Sequence, residues 1–135
     1  MSKIRQKSDF NITAAEILMR ESYYAPSVHC SYYSCFQLLK YTIKYFFGID
    51  YETLSNNISM SEQNTHGYVI NFITRELIGY AGDEESRKFK RQIKDLKQFR
   101  EESDYENIEV RMEQSQKAYN KAKEIREYII AKFNV

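Results

Sequence analysis

One long apolar stripe constrains the fold more than any other feature of this chain. Between residues 28 and 46, apolar side chains recur at intervals of three and four residues, at Val28, Tyr32, Cys35, Phe36, Leu39, Ile43 and Phe46. This spacing places them on one face of an α-helix of about five turns. Pro26 suits a first helical position and Gly48 follows the stripe, so the sequence predicts a central core helix from about Pro26 to Gly48.

Two further helices flank this one in the sequence. We predict the first helix from about Asn11 to Tyr24, because residues 13–16 read Thr-Ala-Ala-Glu and have the spacing of a capping box. A start at Ser8 or Asp9 is the alternative. We predict the third helix from Thr65, as its N-cap, through an apolar stripe to Gly79 and Gly82. That stripe consists of Val69, Phe72, Ile73 and Leu77.

The remaining segments complete the expected architecture. The pattern predicts a fourth helix from about Glu85 to Ser103 and a fifth from about Ile108 to Phe133. Residues 48–64 carry Asn, Ser and Glu without a period, so we expect a loop there with at most one short turn. The chain has one Pro and four Gly among 135 residues. We therefore predict an all-α, antiparallel up-and-down bundle of four to five helices, forming one domain over 1–135 with its core over about 9–133.

Charge and cysteine content narrow the classes of function. The chain has 20 basic and 19 acidic residues, so any contact with nucleic acid or membrane would need a local patch. No stretch approaches the roughly 20 apolar residues of a membrane helix, and the first residues lack an apolar segment. Cys30 and Cys35 point in different directions on one helix. We expect a reduced, cytoplasmic protein with no membrane association.

Arg100 is the clearest functional candidate. Phe89, Ile93 and Leu96 follow helical spacing, and the next step of four residues falls on Arg100. An unpaired guanidinium in a core costs several kcal/mol on an order-of-magnitude scale, so we expect a partner or a cleft. The alternative is a simple helical ion pair with Asp104, four residues later, which is worth about 0.3–0.5 kcal/mol when exposed.

Three segments resemble the motifs of the HEPN domain family. Residues 24–34 place the pair Tyr32-Tyr33 among small residues, and Thr65-His66-Gly67 resembles the family's Thr-His-small motif. The segment from Arg100 to Tyr105 is similar to its Arg-x-x-x-Asp-Tyr variant. Order and spacing agree over roughly residues 12–132. The resemblance implies a helical bundle, usually a homodimer, that cleaves RNA without a metal, binds RNA, or partners a small nucleotidyltransferase.

The resemblance also implies roles for individual residues. Active members use an Arg and a His a few residues later, and two such motifs meet across the dimer. Arg100 matches the Arg, Tyr105 stands where His is often found, and no His follows His66. Histidine serves as acid and base near neutral pH, whereas tyrosine, with a pKa of about 10, is a poor base. The missing His favours binding over catalysis.

The candidate site follows from these points. Arg100, Tyr105, His66 and Lys97 are the predicted ligand-binding residues, and Arg100, Asp104 and Tyr105 are the catalytic ones if the chain is an enzyme, with His66 a weaker candidate. His29 lies beside the apolar stripe, so we interpret it as structural. The cations at residues 87–97 predict either a solvated face or a patch that follows an RNA backbone. The sequence contains no metal-ligand cluster and no phosphate-binding glycine loop, so we predict no metal and no cofactor.

Three functions remain open. The first is a module that binds RNA, a nucleotide or a partner protein, in a toxin–antitoxin or nucleotidyltransferase-linked system. The second is a metal-independent ribonuclease of the toxin type, with Arg100 on the scissile phosphate. The third is a helical interaction protein that does not contact nucleic acid. The abundant tyrosines on the second helix predict a homodimer, although they could also wrap a thick monomeric core.

Overall fold

The helices form from amphipathic segments joined by short connections. A computed structural model describes residues 2–135, and within that range it contains six helices: α1 (Lys3–Arg20), α2 (Tyr24–Tyr45), α3 (Tyr51–Ser61), α4 (Thr65–Ala81), α5 (Asp83–Tyr105) and α6 (Met112–Phe133). The predicted all-α up-and-down bundle is confirmed, with one helix more than predicted. None of these described helices is long and apolar enough to cross a membrane.

Helix α2 occupies the centre of the bundle. It packs against α1, α4, α5 and α6, and its predicted stripe is buried from Val28 to Ile43. Phe46 lies just beyond the helix and is partly exposed, so the stripe is one residue shorter than predicted. Because α2 contacts four other helices, its side chains meet those of α4 and α5 at the candidate site.

Several predicted helix starts were wrong. Helix α1 begins at Lys3 rather than at Asn11, because the hydroxyl of Ser2 accepts the backbone N–H of Arg5 at 3.3 Å and caps the helix. The predicted capping box over residues 13–16 lies inside α1. Asn64 caps α4 in place of Thr65, through an N–H···O bond of 2.7 Å from Gly67. Helix α6 begins at Met112 rather than at Ile108.

The predicted loop over residues 48–64 was also wrong. Helix α3 fills most of it, from Tyr51 to Ser61. The carboxylate of Asp50 accepts the backbone N–H of Thr53 at 2.8 Å and caps the helix start. The only residue of α3 that is fully buried is Leu54. Tyr51, Leu54 and Ile58 follow steps of three and four residues, but a stripe of three residues is shorter than the window over which periodicity identifies a helix.

Candidate functional site

Arg100 lies inside the bundle, as its position in the helical pattern predicts. Phe89, Ile93 and Leu96 are buried on the same face of α5, and Arg100 continues that face with only 5% of its surface exposed. The stripe therefore ends on a cation and not on an aliphatic side chain. The prediction that Arg100 points inward is confirmed.

Tyrosine rings surround the buried guanidinium. The Cζ atom of Arg100 lies 5.1 Å from the ring centroid of Tyr32, 5.4 Å from that of Tyr33 and 5.9 Å from that of Tyr105. The faces of aromatic rings attract cations at such distances. Two of these rings come from α2 and the third from the last residue of α5. This cage, together with an ion pair of 3.5 Å to Asp104, accommodates the buried charge.

The polar contacts of Arg100 are incomplete. Its Nη1 lies 3.5 Å from Oδ2 of Asp104, which is longer than an ordinary hydrogen bond. Among the described residues, its buried Nε has no hydrogen-bond partner. A buried donor without a partner costs on the order of 1–3 kcal/mol. The guanidinium of Arg100, which lines an open cavity, is therefore only partly satisfied by the chain.

Asp104 connects α5 to α2 through His29. The Nδ1 atom of His29 lies 2.8 Å from Oδ2 of Asp104, the same oxygen that faces Arg100. The His29 ring packs on Tyr33 with centroids 4.6 Å apart, and its side chain is 46% exposed. Sequence reasoning interpreted His29 as structural and missed this pair. Because 75 residues separate His29 from Asp104, no local spacing could predict the pair. The position of His29 beside the Tyr32-Tyr33 motif was the one signal that it belongs to the site.

His66 lies at the same site in a more enclosed setting. Its Nδ1 is 2.7 Å from the hydroxyl of Tyr32, and its ring stacks on Phe36 with centroids 4.1 Å apart. Burial lowers the pKa of His66 to about 4, and the charges of Arg100 and Lys97 add to the effect. The His66 imidazole is therefore neutral at pH 7.

An open cavity of about 470 Å³ brings most of the candidates together. Arg100, Tyr105 and His66 line it together with Tyr33. Lys97 lines a neighbouring cavity of about 410 Å³ and forms an ion pair of 2.6 Å with Glu101. The two cavities share residues of α5, among them Glu101. Three of the four predicted ligand-binding residues thus share one cavity, and the fourth is adjacent.

Carboxylates ring the same cavity. Glu101, Glu102 and Glu106 line it alongside Arg100, so the cavity of a single chain has a negative net charge. Upstream on α5, cations predominate from Arg87 to Lys97. Helix α5 therefore carries a basic block followed by an acidic block.

Comparison with known proteins agrees with the motifs. A model of the HEPN domain family matches residues 1–132 of this chain. Searches among curated proteins and among solved structures return no match. The family model spans nearly the whole chain, and the helical fold is the one it calls for. The chain belongs to the HEPN domain family.

Proposed function

We propose that this chain is a binding module whose Arg100 cavity holds a phosphate group of RNA or of a nucleotide. The observation that carries the proposal is the buried Arg100 side chain, which lies in a cage of tyrosine rings with its Nε unpartnered beside an open cavity. A guanidinium presents a planar set of donors that matches phosphate oxygens, and its charge strengthens these bonds.

The aromatic surroundings favour a nucleic acid over inorganic phosphate. Tyr105 is 76% exposed at the cavity, although it also packs on Arg100. A base that stacks on an exposed aromatic ring gains on the order of 1–3 kcal/mol, whatever its identity. One phosphate on Arg100 and one base on Tyr105 would together bind a single nucleotide of an unpaired strand.

The three carboxylates that line the cavity, those of Glu101, Glu102 and Glu106, form an acidic rim. This acidic rim supports a second element of the proposal, a homodimer. Arg91, Lys94, Gln98, Glu102 and Tyr105 are spaced three or four residues apart and share one face of α5. If two α5 helices pair antiparallel about Gln98, Lys94 of each copy faces Glu102 of the partner subunit. The partner's cations then offset the acidic rim, and opposite charges select this register.

Two exposed apolar residues follow the cavity-lining residues Tyr105 and Glu106 in the chain. They are Ile108 and Met112, which are 48% and 58% exposed. Exposed apolar side chains are available to a contact surface. In the proposed dimer Gln98 lies on the two-fold axis, and the ligand binds beside the partner subunit in the cavity that Gln98 and Arg100 both line.

Fluorescence polarisation tests the phosphate-binding proposal. The probe is a labelled single-stranded 2′-O-methyl RNA, which binds but cannot be cleaved through a 2′-hydroxyl. We expect Arg100→Ala to weaken binding at least about tenfold, since a phosphate loses its paired donors. Arg75→Ala, which removes an exposed arginine from α4, is the matched control and should change binding less than about twofold. Equal affinity of the two variants would contradict the proposal.

A second candidate function is a metal-independent ribonuclease. The observation that favours it is the presence of two imidazoles on residues that contact Arg100: His29 lies 2.8 Å from Asp104, and His66 lies 2.7 Å from the hydroxyl of Tyr32. Each reaches the site from a helix other than α5. Incubation of unmodified RNA with the protein in EDTA, beside Arg100→Ala, tests this function. Cleavage that the variant lacks would support it, and intact RNA at protein concentrations that saturate binding would contradict it.

The biological setting is also a proposal. We propose that the module works in the cytoplasm, in a toxin–antitoxin pair or beside a nucleotidyltransferase, because members of its family do so. Expression of the chain alone and together with the product of an adjacent nucleotidyltransferase gene tests this setting. Growth arrest that the second protein relieves, or co-purification of the two, would support it. Normal growth without a complex would contradict it.

A further inference from the structure

A second cavity, the Lys40 cavity, begins next to the Arg100 cavity. Thr65, the first residue of α4, lines it, whereas the neighbouring His66 lines the Arg100 cavity. The Lys40 cavity has a volume of about 250 Å³, and its other lining residues belong to α2 and α3. The two cavities have no lining residue in common. The Lys40 cavity is therefore a separate place for a ligand.

The lining of the Lys40 cavity has an unpaired positive charge. Of its seven lining residues, Lys40 is the one that is charged, and none is acidic. Two lysines that line other cavities pair with carboxylates, Lys88 with Glu124 at 3.9 Å and Lys121 with Asp95 at 3.6 Å. Among the described residues, Lys40 forms no such ion pair. Its ammonium group is available to an anion.

A second lysine increases the positive charge at this place. Nζ of Lys40 lies 5.7 Å from the ring centroid of Tyr51, and Nζ of Lys44 lies 4.8 Å from it. The ring attracts both cations, but like charges four residues apart on a helix repel each other. The backbone N–H of Thr53 and the charge of Lys44 both lower the pKa of Asp50, so Lys44 has a carboxylate nearby. An anion bound at Lys40 would relieve the remaining repulsion.

Hydroxyl groups complete the polar lining of the cavity. Ser55 and Ser59 are four residues apart and share one face of α3, and Thr65 adds a hydroxyl from α4. These three hydroxyls form no hydrogen bond with any other group in the part of the chain that the structure describes. Lysine, serine and threonine side chains are common donors to phosphate oxygens. One ammonium group and three free hydroxyls therefore suit a phosphate group.

We propose that the Lys40 cavity is a second anion site, in which Lys40, Ser55 and Ser59 bind a phosphate group. The phosphate can belong to a small phosphate ester or to an RNA strand that extends from Arg100, since both present the same oxygens. Leu54 and Ile58 also line the cavity and give the organic part of the ligand an apolar surface. The inference goes beyond the proposed function, because it does not require RNA to bind at Arg100.

Amide ¹H–¹⁵N spectra test the site with inorganic phosphate as the probe. The titration uses the full chain with Arg100→Ala, which removes the guanidinium of the other cavity, and sodium chloride keeps the ionic strength constant. We expect the signals of Ser55, Ser59 and Thr65 to move progressively to saturation. Sodium chloride alone should not produce a plateau, because salt screens charges without occupying a site.

Lysine variants identify the cation that binds phosphate. Lys40→Gln should weaken phosphate binding at least about fivefold, because a charge-assisted bond is lost. The matched control is Lys123→Gln, since Nζ of the exposed Lys123 also lies over a tyrosine ring, 5.6 Å from the centroid of Tyr119. This control should stay within about twofold of the parent, because a distant exposed charge is screened.

A variant of the hydroxyl groups keeps the test valid if Lys40→Gln disturbs the fold, which circular dichroism would reveal. Ser55→Ala combined with Ser59→Ala removes two donors from an exposed face of α3. This double variant should weaken phosphate binding about threefold or more.

Titration with the 2′-O-methyl RNA distinguishes the two sources of the phosphate. If the RNA strand supplies it, Lys40→Gln should weaken RNA binding to the native chain and reduce the salt slope by about one. If a small phosphate ester supplies it, RNA affinity should stay unchanged while inorganic phosphate still saturates the site. Either result supports an anion site at Lys40.

Two results would overturn the inference. In the first, neither inorganic phosphate nor RNA moves the signals of Ser55, Ser59 and Thr65 to saturation. In the second, Lys40→Gln and Lys123→Gln bind phosphate equally well. Both results would leave the Arg100 site standing, because the effect of Arg100→Ala on RNA binding tests that site separately.

Discussion

The carboxylate of Asp104 lies 3.5 Å from the guanidinium of Arg100. The two residues are one helical turn apart, a spacing that allows a closer contact. Ordinary N–H···O hydrogen bonds span about 2.7–3.2 Å. A closer contact of the same carboxylate, to the His29 ring at 2.8 Å, explains the difference. Asp104 thus holds Arg100 loosely, and the guanidinium keeps donors for a ligand.

A first prediction separates the stability of the fold from the role of Arg100. We expect Arg100→Leu to leave the free energy of unfolding unchanged or to raise it by about 1–2 kcal/mol, because an aliphatic side chain replaces a buried charge with an unpartnered Nε. The same variant should lose binding of the RNA probe. Urea denaturation and polarisation measure the two effects.

Leu96→Ala is the control on the same face of α5. Because Leu96 is buried, its truncation should lower the free energy of unfolding by about 2–5 kcal/mol. If Arg100→Leu destabilised the chain as much as Leu96→Ala, the role of Arg100 would be to hold the core together.

A second prediction concerns the pairing of α5 helices in the dimer. Lys94→Glu should convert the dimer to a monomer, because it places two carboxylates opposite each other where Glu102 of the partner subunit lies. The double variant with Lys94→Glu and Glu102→Lys should restore the dimer by exchanging the charges. Light scattering after size exclusion gives the mass of each.

Ile108 offers an independent test of the same interface. Ile108→Glu should weaken the dimer, whereas Ile17→Glu, at a similarly exposed isoleucine on α1, should not. A native chain that is monomeric at all accessible concentrations would contradict the proposed dimer. A double variant, Lys94→Glu with Glu102→Lys, that stays monomeric would contradict the proposed pairing of the α5 helices.

A third prediction concerns the pH dependence of stability. Burial holds the pKa of His66 at about 4 in the folded chain, against an ordinary 6.5. Between these values the unfolded chain binds more protons, so the stability that His66 contributes is present above about pH 6.5 and is lost as the pH falls towards 4. His66→Gln should therefore lose less stability than the native chain between about pH 7 and pH 5. Urea midpoints at the two pH values measure this difference, and equal losses would contradict the prediction.

A fourth prediction tests the end of α3. Glu62 follows this helix with φ of 64°, in the left-handed region that favours glycine. Glu62→Gly should raise the free energy of unfolding by about 0.5–1 kcal/mol. Ser55→Gly, inside α3, should lower it by a similar amount, about 0.5–1 kcal/mol. Chemical denaturation compares the two, and a loss of stability in both variants would mean that the chain does not end the helix at Glu62.

Helical periodicity predicted those helices that bury a broad face. The stripe of α2 and the inward position of Arg100 on α5 both follow from steps of three and four residues. Helix α3 was not predicted because its apolar stripe has only three members, Tyr51, Leu54 and Ile58, and of these only Leu54 is fully buried. The cap of α4 was misplaced by one residue because Asn64 and Thr65 are both good N-caps, and only the bond to Gly67 distinguishes them.

Periodicity predicted the site only along α5, and the family motif Thr65-His66-Gly67 added His66 from α4. Arg100 and Tyr105 belong to α5, so pattern and spacing predict their positions. The contact between His29 and Asp104 depends on how α2 packs against α5, and no local pattern encodes a pair 75 residues apart. The stacking of His66 on Phe36 is likewise a product of packing. The roles of these residues in binding or catalysis stay predictions.

The most direct test of the phosphate site observes the Nε–H group of Arg100 itself. Arginine side-chain ¹H–¹⁵N spectra, with the Arg100 signal assigned by its loss in Arg100→Lys, are recorded during titration with the 2′-O-methyl RNA. Because Arg100 lines the cavity, a phosphate bound to its guanidinium should change the surroundings of the buried Nε–H and move its signal progressively to saturation. A signal that stays in place while other arginine signals shift would contradict the account, because RNA would then bind elsewhere on the surface.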